Sequence, residues 1–163
     1  MRHAFVLLAF AAVSACATAQ PTAQPTAQPT AQAADAFVEL EVGGCGFIAA
    51  CPAYVIRMKP GGNYHYQGYK NVAIIGVRDG QLPASAWADA GKAFDAAGWA
   101  TLEDPTSRTG GYPCMPDSPF ARITRHVRDD EEKVFSYNLG CDSPAGSTLL
   151  NAITRILPMP TTP

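Results

Sequence analysis

Residues 20–32 read QPTAQPTAQPTAQ, a four-residue repeat with Pro21, Pro25 and Pro29 in register. No other feature limits the fold as much, because a segment with neither charge nor apolar side chains beyond alanine cannot offset its ordering entropy. Proline at every fourth position favours extended polyproline-II segments, at about 3.1 Å per residue. The repeat is therefore a spacer, and any globular core must be built from the residues C-terminal to it.

The residues before the repeat read as an export signal. Met1, Arg2 and His3 make a short positive start, residues 4–13 (AFVLLAFAAV) carry no charge, and Ser14, Ala15 and Cys16 come next. A positive end, a short apolar run and small residues before a cut describe a secretory signal. The run is too short for a bilayer core, which needs about 20 apolar residues. Val13-Ser14-Ala15-Cys16 resembles the bacterial lipobox, which implies cleavage before Cys16 and acylation of that cysteine. The alternative is ordinary signal-peptidase cleavage after Ala17 or Ala19. Cys16 is also the odd cysteine of five, and an unused thiol is a liability in an oxidising compartment. The expected organisation is a signal peptide over 1–15, a lipidated Cys16 with its tether over 16–35, one domain over 36–158, and a tail over 159–163.

Removing the first 35 residues removes one basic and one acidic residue, so 12 basic and 14 acidic become 11 and 13, and the net charge stays −2. That balance carries no electrostatic footprint for nucleic acid. Within the domain, Val38, Leu40 and Val42 alternate with Glu39 and Glu41, a half-buried strand over 37–42. Further strands are expected over 54–58, 64–69 and 72–77. Gly61, Gly62 and Asn63 supply a turn of positive φ, and Asp79-Gly80 ends the meander. A helix begins in the turn of Pro83 and closes at Gly98, docking through Trp87 and Phe94, with Trp99 and Leu102 packing just beyond. A Pro/Gly-rich loop is expected over 103–119. A hairpin is expected over 120–127 and 134–139, then an amphipathic helix over 147–157. The order βββ(β)-α-ββ-α predicts an α+β fold: an antiparallel sheet of five to six strands with two helices packed on one face.

Cys45, Cys51, Cys114 and Cys141 remain for the domain, and four cysteines in an exported domain suggest two disulfides. Three pairings can be drawn; Cys45–Cys51 with Cys114–Cys141 is the one favoured, the second pinning the long loop to the end of the hairpin. Metal ligation wants Cys/His sets at two- to four-residue spacing, and Cys-x5-Cys with two domain histidines does not supply one. No metal or cofactor is expected.

Gly44-Cys45 and Cys51-Pro52-Ala53-Tyr54, then Gly61-Gly62, Tyr66-Gln67-Gly68 and Gly98-Trp99-Ala100-Thr101-Leu102, resemble an uncharacterised bacterial family of exported proteins and lipoproteins, domain of unknown function 6438. The resemblance runs over about 37–157. Five residues separate the cysteines here where the family usually has three, and Gly61-Gly62-Asn63 replaces its Asp-Gly-Thr turn. It implies a fold and no mechanism.

Candidate binding residues are of two kinds. Arg122, Thr124, His126 and Arg128 alternate onto one strand face, with Arg125 on the other. Such a basic stripe suits a carboxylate or phosphate, unless Asp129, Glu131 and Glu132 across the hairpin pair with it. Tyr64, Tyr66 and Tyr112 belong to a group of six tyrosines that can serve as a platform or simply as strand formers. No G-x-S-x-G, S-x-x-K or H-E-x-x-H is present. The expected function is that of a non-catalytic, membrane-anchored lipoprotein domain of the bacterial envelope. Its partners would be lipid, through Cys16, and a protein or envelope component. The alternative is a secreted or periplasmic enzyme using His65 or His126 near the long loop.

Overall fold

A computed structural model of the chain describes residues 35–44, 51–103, 118–127, 132–141 and 143–157. Cys16, Cys45, Tyr112, Cys114 and Arg128 lie outside them, as do the tether and the tip of the second hairpin. The elements run β1 (Phe37–Gly43), β2 (Ala53–Met58), β3 (Asn63–Lys70), β4 (Gly76–Gln81), α1 (Ala86–Ala96), β5 (Phe120–His126), β6 (Glu132–Asn138) and α2 (Pro144–Ile156). One sheet holds all six strands in the order β4-β3-β2-β1-β5-β6, every neighbour antiparallel. The β5–β6 hairpin returns to the side of β1 that β2 leaves open, which makes the first strand central.

Alternation decides which side is covered. Val38, Leu40 and Val42 point the same way as Ile56, Met58, Ile123 and Phe135. All are buried in one cluster with Ala90 and Phe94 of α1 and Leu149 and Ile153 of α2. Both helices therefore lie on this face, and the chain is an α+β domain of the expected order. Between them, Glu39, Glu41, Arg57 and Arg122 point to the other face, where no helix packs among the described residues.

The fourth strand is displaced from the expected 72–77. Asn71 adopts a left-handed φ of 53° and lifts the chain out of the ladder. The apolar residues that suggested a strand become a packed connection instead, with Val72 and Ile74 against the core. Tyr66 Oη donates to the Ile74 carbonyl at 3.1 Å. The connection comes so close that a Cβ on Gly68 would stand 2.0 Å from that carbonyl oxygen. The ladder resumes at Gly76 and pairs Asn63 with Gln81, so Asp79-Gly80 lies inside a polar edge strand rather than ending the meander. Half-buried Val72 and Ile74 alternate with exposed Ala73 and Ile75, a strand-like pattern in residues that pair with no strand before Gly76.

Two helix starts also move. α1 begins at Ala86, after a turn in which the Ala86 N–H donates to the Pro83 carbonyl at 2.9 Å. α2 begins at Pro144, three residues before the expected 147, because Ser143 caps it: its hydroxyl accepts from the Gly146 N–H at 3.2 Å. In the first hairpin turn only Gly61 and Gly62 take positive φ, at 87° and 89°; Asn63 is the opening residue of β3.

Candidate functional site

On the open face each basic side chain of the strand ladder has an acidic neighbour. Arg57 reaches Glu39 Oε2 with Nε and Nη2, both at 2.7 Å, and lies 4.1 Å over the Phe37 ring. Arg122 Nη1 binds Glu41 Oε2 at 2.8 Å. The acid that engages Arg122 comes from β1, directly opposite in register; of the hairpin acids, Asp129 and Glu131 lie outside the described residues. The second neighbour of β5 is 81 positions away in the chain, beyond the reach of a local reading.

The two histidines do not share a site. His65 on β3 holds Asp79 Oδ1 on β4 at 2.7 Å through Nδ1, an exposed cross-strand pair. His126 stacks on Phe37 with ring centroids 5.2 Å apart. Its Nδ1 is buried without a hydrogen bond, and the Glu132 carboxylate stands 3.8 Å away. From β3 to β5 are three strand spacings, about 14 Å of sheet. Among the described residues, no three His, Cys, Asp or Glu side chains gather as a metal site would require.

Four of the tyrosines turn inward, whereas Tyr69 is exposed. Tyr66 is fully buried and Tyr54 and Tyr137 nearly so, while Tyr64 packs partly against the same cluster. Tyr66 is therefore a core residue and cannot belong to an exposed platform. Burial pushes the phenols of Tyr54 and Tyr66 above their ordinary value, and the Tyr66 phenol adds to the effect on Tyr54.

A cleft with a basic floor lies on the helix side, where the sequence reading placed no candidate site. It starts from the end of α1. Gly98, at φ 66°, lets the Trp99 N–H return to the Phe94 carbonyl (3.0 Å) and its own N–H to that of Asp95 (3.0 Å). A side chain there would be strained, and the two bonds form the glycine-closed helix end known as a Schellman motif. The turn drops the Trp99 ring edge-on against Phe94, with centroids 4.6 Å apart, and near Phe135 at 6.4 Å. Beside it Lys133 Nζ donates to the carbonyls of Trp99, Ala100 (3.2 Å) and Leu102 (3.1 Å) and lies 5.3 Å from the Trp99 ring. Arg125 stacks 5.0 Å over Phe94. Trp99, Ala100, Arg125, Val127, Glu132 and Lys133 enclose about 410 Å³, and a second hollow of about 280 Å³ continues past Trp99 toward Asp95 and Thr101. The volume falls within the range of small-ligand sites.

Arg125 and Lys133 stand in the apolar phase of their strands, in step with Ile123 and Phe135. A basic residue where alternation calls for a core residue is the signal that could have found them. The arrangement can bind an anion between an aromatic wall and a fixed guanidinium, and among the described residues it brings no nucleophile up to an acid–base group.

No curated protein matches the chain. Residues 36–157 match the family model described as Domain of unknown function (DUF6438), and that span takes in every strand and both helices. The chain belongs to the DUF6438 family.

Proposed function

We propose that the chain is a tethered, non-catalytic binding domain of the bacterial cell envelope. Acylated Cys16 anchors it, residues 17–35 space it from the lipid, and the domain offers the Trp99–Arg125 cleft to a protein or envelope component. The observation that carries the reading is this cleft: its floor is a guanidinium held by a ring and not by an acid, whereas the arginines of the open face are engaged by Glu39 and Glu41. Two disulfides, Cys45–Cys51 and Cys114–Cys141, would staple the domain. In support, Cys51 and Cys141 both have the geometry of bonded cysteines, and β1 and β5 lie between the strands they flank, which argues for separate partners.

Intact mass of membrane-extracted protein, with and without reductant, tests the anchor and the staples together. The expected result is a lipid-modified chain beginning at Cys16 that gains four protons on reduction. A soluble chain beginning at Thr18 or Gln20 overturns the anchor. For binding, a photoreactive residue in place of Ala100 should give adducts in intact cells that Arg125→Met removes; no adduct at that position counts against the cleft.

One observation favours an enzyme instead, the 2.7 Å His65–Asp79 bond, which would orient an imidazole as a base. His65→Ala leaving every phenotype of the intact protein unchanged would remove that reading's best-oriented group.

A further inference from the structure

Arg125 and Lys133 are directly opposite each other across the β5–β6 ladder, on the helix side of the sheet. Like charges in that position repel and destabilise a strand pair. Among the described residues neither makes an ion pair. Lys133 is held by three backbone carbonyls and the Trp99 ring, Arg125 by the Phe94 ring alone. The fold thus holds two cations side by side at the floor of a cleft without balancing them. An anion entering between them would relieve the repulsion.

Resting on the binding reading above, we infer that the cleft recognises a single carboxylate attached to an apolar body. The Arg125 guanidinium presents a planar fork that matches a carboxylate in two parallel bonds. Its Cζ already lies 5.0 Å from the centre of the Phe94 ring, so the guanidinium is placed at the cleft before the ligand arrives, which lowers the ordering cost. Trp99, Ala100 and Val127 supply the apolar wall for the body. Asp95 lines the smaller hollow, and a carboxylate there opposes a dianion such as phosphate more than a monoanion. The ligand is either a free apolar acid or the C-terminal carboxylate of a peptide, since both present this chemistry.

The test uses the full chain in detergent and follows the Trp99 indole N–H by NMR. The probes are N-acetyl-leucine, N-acetyl-leucinamide, inorganic phosphate, and a leucine-ended hexapeptide with a free or an amidated terminus. N-acetyl-leucine should bind at least about tenfold more tightly than its amide, the size of one charge-assisted pair. Arg125→Lys should weaken it about tenfold by losing the fork, Arg125→Met should weaken it more, and Arg122→Met on the open face should leave it unchanged. A free-terminus peptide binding more tightly than N-acetyl-leucine identifies a peptide end; equal or weaker binding identifies a free acid. Equal binding of acid and amide, tighter binding of phosphate, or an Arg125→Lys chain that binds as the parent overturns the assignment. Arg125→Lys retains the charge and the stem, so it tests the fork even where Arg125→Met does not fold. These failures would leave the lipid mass and the in-cell adduct untouched, so a tethered binding domain of different ligand chemistry would survive them.

Discussion

The two faces of the sheet solve the same problem of charge in opposite ways. On the open face Glu39, Glu41, Arg57 and Arg122 form cross-strand ion pairs in contact with water. On the helix face Leu40, Ile56, Tyr66, Ile123 and Phe135 are sealed from solvent, and the two cations at the rim are held by rings and carbonyls. Stability should therefore reside on one face and salt-sensitive, individually weak contacts on the other. The exception is the rim, where half-buried charge lies against apolar surface without an ion pair. Charges placed at such cost are where ligand recognition is to be sought.

The sharpest way to break this division is to compare neighbours on one strand. Phe135 is 1% exposed and Leu40 fully buried, whereas Glu39 lies on the open face, half-buried in its pair with Arg57. Phe135→Ala should cost about 3–5 kcal/mol and Leu40→Ala about 2–5 kcal/mol, from lost transfer energy plus the cavity left behind. Glu39→Ala should cost about 1 kcal/mol or less. Denaturant unfolding of the three variants measures this directly. Similar losses at Leu40 and Glu39 would mean that the open face is covered in the intact protein.

How far each face could be read from sequence obeys the same division. The central strand was legible because Val38, Leu40 and Val42 alternate with acids, a pattern only a half-buried strand produces. The C-terminal end of α1 was legible through Gly98, and the last two strands through similar alternation. β4 was not, since its residues are polar and glycine-rich while the apolar run before it, Val72 to Ile75, packs as a connection under a left-handed Asn71. Of the candidate site, Arg122 and His126 were visible as a stripe, but their partners Glu41 and Phe37 come from β1, and no local pattern joins them. Arg125 was legible only as a residue of the opposite face. Its importance depends on Phe94 and Trp99 arriving from a helix end some 30 positions earlier in the chain, a non-local meeting that strand periodicity does not encode.

A second comparison uses pH. The raised phenols of Tyr54 and Tyr66 belong to the sealed face, displaced first by burial. Below the ordinary tyrosine value of 10.0 both states of the chain keep these protons, so the stability is fully present. Above it the unfolded chain releases protons that the folded chain retains, and stability falls as pH rises. Tyr66→Phe should lower stability at neutral pH by about 1 kcal/mol, through loss of the bond to the Ile74 carbonyl. It should also flatten the alkaline decline. Unfolding midpoints from pH 7 upward check both parts, and an unchanged alkaline slope would mean that Tyr66 ionises as readily in the fold as out of it.

The smallest effect is the most discriminating test of the open face. Arg122 and Glu41 are directly opposite, 2.8 Å apart, with side chains 46% and 32% exposed. At that exposure water screens most of the attraction, and a coupling of about 0.2–1 kcal/mol is expected from a double-mutant cycle of Arg122→Met and Glu41→Gln. Salt near 1 M shortens the Debye length to about 3 Å and should remove most of it. Arg125→Met should behave differently under the same conditions. It has no acid to lose and relieves its repulsion with Lys133, so in the absence of ligand it should be neutral or slightly stabilising at low salt, with the difference shrinking as salt rises. A loss of stability at Arg125 that tracks the salt dependence of Arg122 would show that an acid holds it after all, and the contrast between rim and open face would fall with it.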